Sequence, residues 1–300
     1  MPDIDVTVLT ITYRPGYIDT MAQCLVEQNL PRDRWEWVLV DDLHSVRHEL
    51  VAAYVPKEIN LRHMPPREIR MESATAIAVN TGLAVARGKL VYFMADYMYL
   101  HPTCLERHWD IYQKHGPDVF ISGPIVDLIT YFGASTAHGA PAMPRTIRVG
   151  DAFVTYEEHS PPLAWPLLKE NWSQFIPENL ISIWQYPMVL YWPKKPGKDW
   201  RISSLKNLIP VGRSVCQADS SDLTSHKHWW AGRNDSASLD LLRRAGGLDE
   251  SQAGQHGGLE NLLAQNMIDL GGHYLIDLSS PAMHLEHRSR KPEVVSWPTA

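Results

Sequence analysis

Three cysteines in 300 residues, Cys24, Cys104 and Cys216, are odd in number and far apart. They make neither a disulfide framework nor a zinc pattern, which points to a reducing compartment. No run approaches the length of about 18 apolar residues that a spanning helix needs. There is no basic surplus either: 28 Lys+Arg stand against 34 Asp+Glu, a net of −6 with His neutral. A protein held to nucleic acid by neutralising phosphates needs a concentrated basic face, so that class is set aside. The opening Met1-Pro2-Asp3-Ile4-Asp5 is acidic and lacks the cationic and apolar segments of a secretory leader. The expected location is cytoplasmic.

What is present is ordinary globular material, 44% hydrophobic and 21% charged, enough for one large or two small domains. Val6–Tyr13 is a β-branched run closed by Arg14-Pro15-Gly16, and Tyr17–Gln28 carries apolar residues at helical spacing. Glu36–Asp41 is a second strand, so the opening reads as a βαβ unit with a parallel sheet. Ser73–Arg87 is a helix stopped by Gly88, Lys89–Ala95 a strand, Thr103–His115 a helix and Asp118–Ser122 a strand.

The middle changes character. Between Pro124 and Pro210 lie 11 of the 22 prolines, with Trp165, Trp172, Trp184, Trp192 and Trp200. Long helices do not persist through such proline density. The segment reads as loops and short strands whose aromatics pack internally, face a substrate or, around Lys194 and Lys195, touch a membrane surface. Regular patterning resumes near Trp229, with helices at Ser238–Arg244 and Leu259–Leu270 and a strand at His273–Leu278; the last dozen residues read as a tail.

Ligands bind outside the carboxyl ends of parallel strands, which selects Thr12 and Tyr13, then Asp41-Asp42, then Asp96. Each aspartate alone could equally cap a helix or a turn. The turn after the first strand matches neither GxGxxG nor a Walker A loop, which sets aside dinucleotide oxidoreductases and P-loop enzymes. In the last third, Gly257-Gly258-Leu259-Glu260 puts an acid in the first turn of a helix. His284 and His287 follow a strand, at a spacing that alone is weak for metal.

Together these segments resemble the family 2 glycosyltransferases, inverting nucleotide-sugar-dependent enzymes of GT-A fold. The resemblance runs through Thr7–Arg14, Val38–Asp42, Asn80–Gly88 and Met94–Met98, then through Trp230–Asn234, Ala245–Glu250, Gly257–Glu260 and His284. It implies an α/β fold with a Rossmann-type, mostly parallel sheet flanked by helices. In this scheme 1–124 is the nucleotide-sugar half of one domain, 125–228 an irregular insertion near the acceptor, 229–288 the acceptor and catalytic half, and 289–300 a tail.

The resemblance assigns Thr12, Tyr13, Asp41, Asp42 and Asp96 to the donor, a UDP-sugar ahead of a GDP-sugar. Asp96 and His284, with His287 as the weaker candidate, are assigned to Mn²⁺ or Mg²⁺. Glu260 becomes the general base, and Trp229, Trp230 and Asn234 the acceptor contacts. The acceptor could be a glycan, a lipid-linked sugar, a protein or a modified base. Three departures stand out: Tyr97 and Met98 reduce the family's DxD to Asp96, Glu260 replaces its usual Asp, and Val79 stands where many members carry Arg. The alternatives are a degenerate GT-A domain that binds nucleotide or glycan without turnover, and a metal-dependent hydrolase built on Asp96, His284 and His287.

Overall fold

The computed structural model describes residues 3–13, 18–68, 75–96, 98–127, 146–149, 152–155, 208–211, 215–218, 230, 232–252 and 258–284. The first half runs β1 (Val6–Thr12), α1 (Ile18–Val26), β2 (Trp35–Asp41), α2 (His44–Tyr54), β3 (Leu61–Met64), α3 (Thr75–Val85) and β4 (Leu90–Phe93). It continues through β5 (Met98–Leu100), α4 (Cys104–His115), β6 (Val119–Ser122) and β7 (Ile125–Asp127). Then come β8 (Thr146–Val149), β9 (Ala152–Thr155), β10 (Leu208–Pro210) and β11 (Val215–Ala218). The last part holds β12 (Asp235–Ser238), α5 (Leu239–Arg244), α6 (Leu259–Asp269), β13 (His273–Asp277) and β14 (Ala282–His284).

Among the described residues the main sheet has the order β10-β11-β13-β6-β12-β4-β1-β2-β3. β3, β2, β1 and β4 are parallel, β12 runs antiparallel between β4 and β6, and β13 returns parallel to β6. This is the expected α/β architecture. β1, β2, β4 and β6 are buried on both faces, so they read as near-continuous apolar runs.

The pleat sorts those runs into two cores. Val6 and Val8 of β1 with Trp35, Trp37 and Leu39 of β2 pack under α1 and α4. Leu9 with Val38 and Val40 faces the opposite side, under α3, α5 and α6. A small second sheet, β5-β14-β7, sits beyond the end of β4.

β12 lies at the centre of the main sheet, although its sequence, Asp-Ser-Ala-Ser, has no strand pattern. Its polar side chains are buried because each finds a partner: Asp235 takes the hydroxyl of Ser122, and Ser236 meets His108 Nδ1 at 2.8 Å. Most of the proline- and tryptophan-rich stretch, including the five tryptophans named above, lies outside the described residues, as does the tail. No helix among the described residues is long and apolar enough to cross a membrane.

Candidate functional site

Parallel pairing brings the strand ends together. Thr12 is registered opposite Asp41, and its carbonyl accepts from the Asp42 N–H at 3.0 Å. The Thr12 hydroxyl donates to Asp96 Oδ2 at 3.2 Å. Thr12 therefore ties the ends of β1, β2 and β4 into one edge. Asp96 is 7% exposed and Asp42 is half-buried.

Asp41, expected to meet the nucleoside, is instead 0% exposed and fully engaged. Its Oδ2 accepts from Arg47 Nε at 2.6 Å and from His63 Nε2 at 2.8 Å. Its Oδ1 accepts from Arg47 Nη2 at 2.7 Å and the Leu43 N–H at 2.8 Å. Burial pushes this carboxyl up, but the hydrogen bonds from His63 and Arg47 and the Arg47 charge hold it below the usual carboxylate range. His44 stacks on His48 and meets the His63 ring at a tilt, and burial together with those neighbouring imidazoles lowers its pKa. Asp41 thus braces the edge, while its neighbour Asp42 is half-buried there.

A cleft opens between this edge, α3 and α6. Tyr13 and Asp96 line it from the sheet, Thr75 and Val79 from α3, and Glu260 and Leu263 from α6. Gly232, Arg233 and Trp230 form a further wall. The α3 wall is fixed by Asn80, whose Nδ2 donates to Leu248 O at 2.8 Å and Glu250 Oε1 at 2.7 Å while its Oδ1 accepts from Leu248 N at 2.9 Å. The Asn80 and Ala245–Glu250 segments, far apart in sequence, meet there and set Leu248 into the cleft.

Glu260 stands in the first turn of α6, after Gly258 at φ 89°. Burial raises its pKa, its own amide N–H lowers it, the Asp235 charge raises it and the Arg233 charge lowers it, with a net rise. A carboxylate so placed is a better proton acceptor than a solvated one. It shares the cleft with Asp96, so the structure brings these two expected residues together.

The wall from Trp230 to Asp235 differs from expectation. Trp230 borders the cleft but is 1% exposed, edge-on to Phe93 with centroids 5.1 Å apart, and thus a packing wall more than a stacking platform. Asn234, expected at the acceptor, is 0% exposed and its amide is engaged structurally. Its Nδ2 donates to Pro124 O and Ser280 O at 2.9 Å each, and its Oδ1 accepts from the Tyr92 hydroxyl. It also holds the left-handed φ of 53°, which asparagine tolerates better than most residues.

Trp229 and His287 lie outside the described residues. The His284 backbone pairs with Met98 on β5, two residues past Asp96, and its side chain is not among those described. Among the described residues no three His, Cys, Asp or Glu side chains converge as a metal site of their own. The buried Asp96 carboxylate, which lines the cleft, is a hard-oxygen donor. A magnesium- or manganese-type ion fits such a place when substrate phosphates and waters complete its shell.

Reading strand ends missed Arg47, His63 and Arg233. Arg47 lies six residues past Asp41 inside α2, and no local motif marks it as a partner. Arg233 sat in plain view within Trp230-Ala231-Gly232-Arg233-Asn234, a cation between a glycine and an asparagine, both residues that tolerate positive φ.

Residues 7–150, a little under half of the chain, match the family described as Glycosyl transferase family 2. No curated protein matches the chain in sequence. Among solved structures, it is similar to S. aureus TarS 1-349 in complex with UDP-GlcNAc, at 12% identity and a TM-score of 0.57, covering 96% of this chain and 60% of that one. GalNAc-T7 with UDP, GalNAc and Mn²⁺ is similar at 12% identity and a TM-score of 0.53, covering 95% of this chain and 44% of that one. The chain thus spans about three fifths or less of either structure, and identity this low speaks to fold. On the 7–150 match and the shared fold, this chain resembles family 2 glycosyltransferases and has their GT-A-like architecture.

Proposed function

We propose that this chain is a glycosyltransferase moving one sugar from a nucleoside diphosphate sugar to an acceptor hydroxyl, with inversion at the anomeric carbon. The observation that carries the reading is Glu260, a desolvated carboxylate of raised pKa in the same cleft as Asp96. Glu260 takes the acceptor proton as the acceptor oxygen bonds to the anomeric carbon. The bond from that carbon to the diphosphate breaks on the opposite face, and its electron pair leaves with the diphosphate.

Thr12, Tyr13 and Asp42 hold the nucleoside, with Asp41 bracing the end of β2 beside them. A UDP-sugar is the favoured donor and a GDP-sugar the second choice; the TarS structure contains UDP-GlcNAc and the GalNAc-T7 structure contains UDP. Asp96 and His284 would hold Mn²⁺ or Mg²⁺, which supplies positive charge to the diphosphate when bound. The acceptor lies beside Glu260 against the Trp230 wall. The buried free thiols of Cys24 and Cys104 suit a reducing, cytoplasmic setting.

The test is transfer from UDP- and GDP-sugars to a panel of glycan, lipid-linked and peptide acceptors, with the product anomer read by NMR. An inverted product formed by the wild type and lost in Glu260→Gln is expected. Retention of configuration, or full rate in Glu260→Gln, refutes this mechanism. Nucleotide binding with no turnover on any acceptor would favour the degenerate, binding-only reading.

A further inference from the structure

The charges lining the cleft are unbalanced for the ligand it is proposed to take. Asp96 and Glu260 bring two carboxylates, and α3 contributes the uncharged Thr75 and Val79. Apart from a cation held at Asp96, a diphosphate entering here meets two carboxylates of like charge. Among the described residues lining the cleft the cation is Arg233.

The chain goes to some length to present this one residue. Its predecessor Gly232 has φ +64° and its successor Asn234 φ 53°, so Arg233 stands between two left-handed residues that an ordinary side chain would resist. The Arg233 N–H donates to Asp235 Oδ2 at 2.9 Å, and Asp235 is itself held by the Ser122 hydroxyl at the centre of the sheet. Asn234 is pinned to Pro124, Ser280 and Tyr92. The Arg233 backbone is therefore anchored on its C-terminal side while its side chain borders the cleft.

We propose that Arg233 is the residue that binds the donor's diphosphate and receives it as leaving group. This rests on the glycosyltransferase reading above. As the bond from the anomeric carbon to the diphosphate oxygen breaks, the electron pair stays with that oxygen. The guanidinium donates hydrogen bonds to the oxygens that gain charge, and no proton moves. A planar fork that keeps its charge suits two phosphate oxygens better than an ammonium does. Its charge also acts on Glu260, drawing down a pKa that burial raises.

The experiment is titration calorimetry with UDP, UMP, GDP and GMP in Mg²⁺ buffer, on the wild type, Arg233→Met and Arg233→Lys, beside transfer kinetics. Arg233→Met is expected to weaken the diphosphate that the wild type prefers by about tenfold to a hundredfold, the worth of a charged hydrogen-bonding contact. The matching monophosphate should change by less than about threefold, and Arg233→Lys should recover part of the loss. Equal losses for di- and monophosphate, or none, overturn the proposal while wild-type turnover keeps the function intact. Unchanged diphosphate affinity with a raised acceptor KM would hand Arg233 to an anionic acceptor and likewise overturn it. A wild type that binds none of the four nucleotides removes both the proposal and the donor reading. Melting curves identify a misfolded Met variant, in which case Arg233→Gln takes its place.

Discussion

Arg47 grips Asp41 through two parallel hydrogen bonds, Nε to Oδ2 at 2.6 Å and Nη2 to Oδ1 at 2.7 Å, with both side chains buried. Asp41 ends β2 opposite Thr12, at the edge where the nucleoside is proposed to bind. Removing one partner of a buried ion pair leaves the other charge uncompensated, which costs about 3–5 kcal/mol. Arg47→Met is expected to lose stability on that scale in urea unfolding. The pH dependence follows from the depressed Asp41 pKa. The stabilisation is fully present above the unfolded carboxyl's 3.8 and is lost as pH falls through the lower folded value. Arg47→Met should lose part of that acid dependence; an unchanged urea midpoint would show that the pair is not the brace proposed.

A second buried group works in the neighbouring window. His108 lies between Ser236 Oγ at 2.8 Å and Ser280 Oγ at 3.1 Å, each ring nitrogen meeting a hydroxyl. Burial drops its pKa from 6.5 to about 4, so the folded protein keeps it neutral where the unfolded chain would protonate it. The unfolded state then binds more protons between those values, and stability falls as pH drops from 6.5 toward 4. The full effect is roughly 3 kcal/mol. His108→Gln keeps a donor and an acceptor but cannot titrate, so its unfolding free energy should vary less with pH across this window. An identical slope in both proteins would assign the sensitivity elsewhere.

The difference between His108 and Thr12 shows what a sequence can carry. Thr12, Asp42 and Asp96 end apolar parallel strands, and the rule that ligands sit at carboxyl edges locates them without coordinates. The helices α1, α3, α4, α5 and α6 were legible for a similar reason, because apolar spacing and glycine or proline stops are local. α2, β3 and β12 were not. His44–Tyr54 carries three charged or imidazole positions in its first half and little apolar periodicity. Asp235–Ser238 is a strand only because Phe93, Tyr92 and Val91 on one side and Ser122, Ile121 and Phe120 on the other supply its ladder. Asn234 failed in the opposite sense. A polar residue in a site motif looked like a ligand contact, and its partners turned out to be carbonyls from Pro124 and Ser280, 110 and 46 residues away in sequence.

Two glycines separate backbone strain from function. A Cβ on Gly232 would meet Glu260 Cγ at 3.5 Å, an ordinary contact, and one on Gly246 would meet nothing within 4 Å. Both have positive φ, +64° and +87°, so alanine at either should cost about 1–2 kcal/mol through the backbone alone. Gly246 closes α5 on the surface, whereas Gly232 sits between Trp230 and Arg233 in the cleft wall. Gly232→Ala and Gly246→Ala are therefore expected to lower the melting temperature similarly, while only Gly232→Ala reduces transfer. Equal activity in the two variants would free the 230–235 wall from any part in the chemistry.

The acid limb of the pH–rate profile follows from Glu260. A general base must be ionised, and burial holds this one protonated to a higher pH than a solvated glutamate of 4.5. The sign is fixed: kcat/KM should fall as pH drops through a value above 4.5 and level off on the alkaline side of it. Asp at this position shortens the side chain by one methylene, so Glu260→Asp should keep the limb but lose rate, because proton transfer needs hydrogen-bond reach. Glu260→Gln should lose about 10²–10⁴ in kcat, the usual worth of a positioned base, and its residual rate should show no such limb. Arg233→Met adds an internal check, since removing a positive charge from beside Glu260 should shift the limb further upward. A limb unmoved by any of these three changes would mean that some other group takes the acceptor's proton.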